Sequence, residues 1–414
     1  MGSRRRAKAR AAARRQRAAE RSDDAPRAPA TGEAGAAAGA QSEITLREFE
    51  GATRAPGSAA DFGGRVLDLS GVEGGIELTV GDKTVSNCTI KSGPVYVTGL
   101  CEDGAMRFGL RFVDVTFQGS AAPASSGREH PARAASEEVA VTGMVLCGHG
   151  ADGVVFDRCR FANAAARDCP RVVADDVEWK LFAGLCVRGV VDVQVEGCCF
   201  VDNSGPGVAA IHQDTAVAVK DSQFVRNDTA GAWAYDEAAI DLAACVLEAH
   251  SKYGVWATGR GYIRAAGTTI RGNPLGAYAC HRGRVALEGC RVADNEAVGL
   301  WASEGGRLTA NDVACSGSRV GGMASDGGSL RLTRSTFREN APHCLGAVGR
   351  GAMIRGSDVE LRKDWQSCVR ARDGGRVLLK RCRASGGGAE EDGTATADNA
   401  LPSTVFLKEI EFSS

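Results

Sequence analysis

The residues best placed for chemistry are acidic. Asp214, Asp236, Glu237, Glu304, Asp326 and Asp373 recur along the chain about one repeat apart, interleaved with Arg260, Arg282 and Arg350. Two neighbouring carboxyl groups can divide the acid and base roles that cleave a glycosidic bond. Glu304 and Asp326 stand on adjoining repeats and are the catalytic candidates. The competing explanation is that turns are polar for solubility alone. His281 and His343 each adjoin a cysteine, Cys280 and Cys344. A thiol beside an imidazole can become a nucleophile, but a third group that would orient the pair is not evident, and both read as structural.

These residues need a scaffold that returns to the same place at regular intervals. Gly261, Gly283, Gly306, Gly328, Gly351 and Gly375 follow one another at 22, 23, 22, 23 and 24 residues. Within each interval the same order recurs, as in Arg-Val-Ala-Leu-Glu-Gly-Cys-Arg-Val-Ala-Asp-Asn and then Val-Gly-Leu-Trp-Ala-Ser over residues 284–303. A fixed period of this size means stacked repeats, each too small to bury its own apolar face. Three short strands per repeat and about ten coils are expected, an all-β solenoid. Composition agrees: 54 of 414 residues are Gly and only 6% are aromatic, which gives many turns and few large side chains for a globular core.

Two columns specify the turns. Asn163, Asn203, Asn227, Asn273, Asn295 and Asn340 share one offset, with His250 and Ser318 where the column breaks. Amides stacked at a strand spacing of roughly 4.8 Å can bond from coil to coil, and Asn tolerates left-handed backbone. The second column holds Cys159, Cys198, Ser222, Cys245, Thr268, Cys290, Val313, Ser335, Asp358 and Cys382. Nearly all are small, as a narrow interior requires. Thiols met once per coil lack the paired spacing of a metal site, so no metal and no cofactor is expected, and the cysteines read as reduced.

The third strand has the form Gly-x-Z-Ala. Alternation puts x and Ala inside and Z outside. Z runs Ala209, Trp233, Trp256, Tyr278, Trp301, Met323, Gly346 and Arg370. Four rings and a Met on adjacent coils form an outward apolar stripe, the expected binding face for a protein or glycan partner. The alternatives are that a loop or the acidic tail covers the stripe, or that a register shifted by one puts the rings inside.

With the period, the asparagine column and the small-residue column together, residues 76–388 resemble the right-handed parallel β-helix repeats of the pectin-lyase-like superfamily. The resemblance implies the fold; polysaccharide lyases, hydrolases and epimerases use it, and so do non-enzymatic scaffolds. Cys147-Gly148-His149-Gly150 is similar to the Gly-His-Gly element of polygalacturonases, and Asp175-Asp176 to their paired aspartates. The order is reversed and the flanking motifs are missing, so His149 reads as a turn residue. The outward faces of the earlier strands lack the Asp, Lys and Arg cluster of polysaccharide lyases. A binding or scaffold solenoid is the first expectation, and a polysaccharide-active enzyme the second.

The ends differ in kind from the repeats. Residues 1–21 carry nine Lys or Arg and one acid, leaving −9 on the rest of a chain whose net charge is −1. Residues 1–42, rich in Ala, Arg, Gly and Pro, cannot bury enough apolar surface to order themselves. This tail suits localisation or polyanion binding, the one route to nucleic acid, since an acidic body repels phosphate. Residues 43–75 and 401–414 are expected to cover the solenoid's ends, and 389–414 to hold the end of an acidic loop over 386–400 and a closing strand over 404–412. Insertions are expected at 119–138 and 165–183. No run approaches the roughly 18 apolar residues of a membrane span, and no signal peptide is evident. A monomer inside the cell, without a membrane contact, is expected.

Overall fold

The computed structural model describes residues 42–414 except 73, 100–108, 121–139, 149, 166–179, 190–191, 363–367, 386–396, 399–403, 409–410 and 414. The basic tail, His149, Asp175, Asp176 and most of both insertions and the acidic loop lie outside the described residues.

The chain is a parallel β-solenoid with three strands per coil. Arg284–Glu288, Arg291–Ala293 and Val298–Ala302 make one coil, and the next begins at Arg307–Asn311. The first two strands of each coil join a sheet of 25 strands, and the third joins a sheet of 13. Every pairing between coils is parallel and connects equivalent residues, such as Val285 with Leu308 and Trp256 with Tyr278. The 13 rungs of the shorter sheet exceed the ten expected. The additional ones are Ile76–Thr79, Val95–Thr98 and Ala397–Asp398, outside the stretch where the repeat is most regular.

Rungs also lie beyond residues 76–388. Ala59–Asp68 pairs with Lys83–Lys91, and Thr404–Lys408 pairs with Arg376–Lys380. A helix, Leu46–Thr53, lies against that first rung. Thr45 caps it by accepting the Glu48 N–H, and Phe49 is buried with its ring 5.1 Å from that of Phe62.

Inside, like stacks on like. Phe117, Phe161, Phe200 and Phe224 form a column with centroids 4.6–4.9 Å apart, the strand spacing itself. The asparagine ladder is present, one residue away from its expected start. Ala164, not Asn163, stacks on Asn203, and its N–H donates to Asn203 Oδ1 at 3.0 Å. The pattern then repeats: Asn203 N–H donates to Asn227 Oδ1, and Asn273 N–H to Asn295 Oδ1. His250 takes its turn by accepting the Asn227 N–H on Nδ1. Each side chain thus satisfies the turn of the coil before it. The left-handed backbone belongs to the preceding residue, as at Asp202, Arg226 and Asp294. Asn163, with φ of 58°, is one of these turn residues.

The small-residue column works the same way. Cys198 N–H donates to Ser222 Oγ, and Cys245 N–H to Thr268 Oγ1. Its member near the C-terminus is Val359; Asp358, with φ of 55°, occupies the left-handed position. Burial keeps the Cys245 thiol protonated, pushed up to about 11, so its S–H can donate to the Ala243 carbonyl. The reduced reading needs one correction: Cys344 and Cys368, on adjacent rungs, are joined by a disulfide. Among the described residues, no helix is long and apolar enough to cross a membrane.

Candidate binding face

The outward column of the shorter sheet begins with a register argument. Val255, Ala257, Ala277, Ala279, Leu300 and Ala302 belong to the main core, which places their neighbours Trp256, Tyr278 and Trp301 on the other face. Gly interrupts the alternation before each x. A Cβ on Gly276 would stand 2.8 Å from Val292 Cγ1 and 2.9 Å from Asn295 Nδ2, so this position turns inward against the amide ladder. The residue before it therefore points outward again. That is how Tyr253 joins the face, with Tyr235 entering from the far side of Trp233.

Six rings form a continuous array. Trp233 lies 5.1 Å from Trp256, Trp256 4.9 Å from Tyr253, Tyr253 5.3 Å from Tyr278, and Tyr278 5.0 Å from Trp301; Tyr235 lies 5.6 Å from Trp233. Interplanar angles run from 13° to 40°, so each ring covers much of its neighbour's face. What remains for solvent is chiefly edges. Trp256, Tyr278, Trp301 and Met323 are half-buried. Trp233 corrects the expectation of a wholly exposed stripe: it is 0% exposed, in an outer apolar cluster with Leu146, Cys186, Ala209 and Ile211.

A polar column two residues after Z anchors the rings, each from the following coil. Trp256 Nε1 donates to Cys280 Sγ at 3.3 Å and Trp301 Nε1 to Ser325 Oγ at 3.0 Å, while the Tyr278 hydroxyl meets Ser303 Oγ at 2.9 Å. Burial raises the Tyr253 phenol to about 12, so it stays neutral. Tyr235, Tyr253 and this Thr/Cys/Ser column are what sequence reasoning missed. The signal for the column was present, since Thr258, Cys280, Ser303 and Ser325 align.

The acidic turn is explained by its backbone. Asp236, Glu237, Glu304, Asp326 and Asp373 all have positive φ, as do Arg260, His281 and Arg282. Short polar residues tolerate this conformation best. The register stacks Glu304 on His281 of the preceding coil, and the partner of Glu304 is His281 Nε2 at 2.8 Å rather than Asp326. The third group beside Cys280 and His281 therefore exists, correcting the expectation that none converges there. Elsewhere His212 Nδ1 meets Asp236 Oδ2 at 2.9 Å with Arg188 on Nε2, Arg260 pairs with Glu237, and His343 lies 3.4 Å from Arg370.

With this geometry in hand, the class is defined: the chain belongs to the right handed beta helix family, whose model matches residues 66–275 and 210–360. Among solved structures it is similar to the A-module of the Azotobacter vinelandii mannuronan C-5 epimerase AlgE6, with 10% identity, 89% of this chain and 93% of that one covered, and a TM-score of 0.41. It is also similar to the Siphovirus 9NA tailspike receptor binding domain, with 10% identity, 90% and 75% covered, and a TM-score of 0.44. The periplasmic alginate epimerase AlgG gives 12% identity, 90% and 84% covered, and 0.33. Likeness at such identity concerns the fold alone. Comparison with curated protein sequences finds no match.

Proposed function

We propose that this protein is a non-enzymatic binding or scaffold β-helix whose outward ring array receives a protein partner inside the cell. The observation that carries this is the row of half-buried side chains Trp256, Tyr278, Trp301 and Met323 on four consecutive coils. Such a row leaves apolar edges open side by side on consecutive coils. Because the rings cover one another's faces, flat sugar rings find little to stack on, whereas a partner's aliphatic side chains can pack against edges.

A catalytic reading requires an acid and a base converging on one bond, and Glu304 is already engaged by His281. The test uses the full chain as bait in cross-linking capture, with Trp301→Ala/Met323→Ala as the paired variant and a panel of uronate and neutral polysaccharides alongside. The reading expects a protein captured by the native chain and lost in the variant while the variant stays folded, with only a small loss of thermal stability. Saccharide binding without protein capture would refute it, as would polymer turnover abolished by Glu304→Gln.

A further inference from the structure

The turn after the strand Leu275–Ala279 brings together three different metal-ligand chemistries. Cys280, His281 and Glu304 each direct one ligand atom to a common place, all within 4.8 Å of one another. Register enforces this meeting: Cys280-His281 and Ser303-Glu304 are equivalent pairs on neighbouring coils, and parallel pairing continues through Ala279 and Ala302. Tetrahedral zinc with bonds of about 2.0–2.3 Å separates its ligands by about 3.5 Å, so small side-chain rotations suffice to close the set.

His281 turns Nε2, the nitrogen that would ligate, toward Glu304 at 2.8 Å. One observation independent of that proximity points to a cation. The sulfur sits in a donor pocket. Trp256 Nε1–H reaches Cys280 Sγ at 3.3 Å, and the Thr258 and Tyr278 hydroxyls bond to the same thiol. Outer donors of this kind stabilise a metal-bound thiolate. The equivalent positions on other coils are the hydroxyls Thr258, Ser303 and Ser325, so a thiol is not needed to form the turn.

We propose that Cys280, His281 and Glu304 bind a divalent cation of the zinc class, leaving a fourth position for water. Thiolate with imidazole selects zinc over calcium or magnesium, and one carboxylate does not override that preference. Approach is from solvent over His281 and Glu304, whose side chains are 31% and 41% exposed, while Cys280 closes the inner side at 3%. The site stands apart from the partner-binding reading, because it needs neither the edge of Trp301 nor Met323.

The test titrates the chelator-treated full chain with cobalt(II) and then zinc. One cobalt per chain is expected, with a thiolate-to-cobalt charge-transfer band in the near ultraviolet that zinc abolishes. Cys280→Ser should remove the band; His281→Asn and Glu304→Gln should each weaken binding by at least the ~10–100-fold that loss of an outer partner costs, and Trp256→Phe by about 10-fold. Cys199→Ser, the half-buried thiol elsewhere, should change nothing. Zinc-dependent protection of Cys280 from alkylation, read by mass spectrometry on the native chain, gives an answer should a variant fail to fold. A band surviving Cys280→Ser, no band at all, or equal alkylation with and without zinc overturns the proposal.

Discussion

Two ladders run along the same coils, one inside and one outside, and they end differently. In the inner one, Asn203, Asn227, Asn273 and Asn295 exchange bonds with the turns above and below them, and no amide in this row is exposed. In the outer one, Trp256, Tyr253, Tyr278 and Trp301 follow one another ring against ring, and Trp256, Tyr278 and Trp301 tie their polar atoms to the next coil, yet all four stay half-buried at the surface. Repetition alone therefore does not decide whether a column is structural or open to a partner. The distinguishing feature is whether stacking consumes all the side chain's surface, and for a ring it consumes only the two faces.

This contrast can be broken by substitutions within each ladder. The largest losses are expected where a ring is enclosed on every side. Phe200→Ala, between Phe161 and Phe224, should cost about 3–5 kcal/mol in urea unfolding, and so should Trp233→Ala, the buried member of the outer row. Should Trp233→Ala prove nearly neutral, the division between the covered and open ends of that row collapses. Asn227→Ala comes next, at about 2–3 kcal/mol, because it strands the buried Asn203 N–H.

His250 sharpens the inner side through pH. Burial takes its pKa from 6.5 to about 3, so the folded state holds it neutral, free to accept the Asn227 N–H. Its contribution is complete above 6.5 and lost as pH falls toward 3, at up to about 1.4 kcal/mol per unit. His250→Asn should restore a ladder amide, raise the urea midpoint at neutral pH by the equivalent of about 1 kcal/mol, and flatten that acid slope. A slope unchanged in the variant would exclude His250 as its source. The smallest effect belongs to the outer ladder's open end. Trp301→Ala should cost only about 1 kcal/mol of stability while removing partner capture; a loss as large as that of Trp233→Ala would mean its edge is not free.

Much of the fold was legible because a solenoid repeats its instructions. The glycine period gave the coil, and alternation in Gly-x-Z-Ala placed Val255, Ala277 and Leu300 inside. Alignment failed by one residue at Asn163 and Asp358. In both cases a polar residue suited to the left-handed turn stands immediately before the ladder position, and residue type cannot separate the two. The candidate face was legible in its Z column but not in its extent. Tyr253 joins only because Gly254 turns inward, and Trp233 is withdrawn by an outer cluster built from coils more than twenty residues away.

The sequence by itself determined the period, the interior columns and the existence of an outward aromatic row, because each depends on residue type at a fixed spacing. Tertiary structure alone decided that the rings join into one array of stacked and tilted pairs, that Cys344 meets Cys368, and that Glu304 meets His281 and Cys280 rather than Asp326. Those outcomes depend on which atoms the inter-coil spacing brings within a few ångströms, and that is a property of the register and rotamers between coils, written in no single repeat.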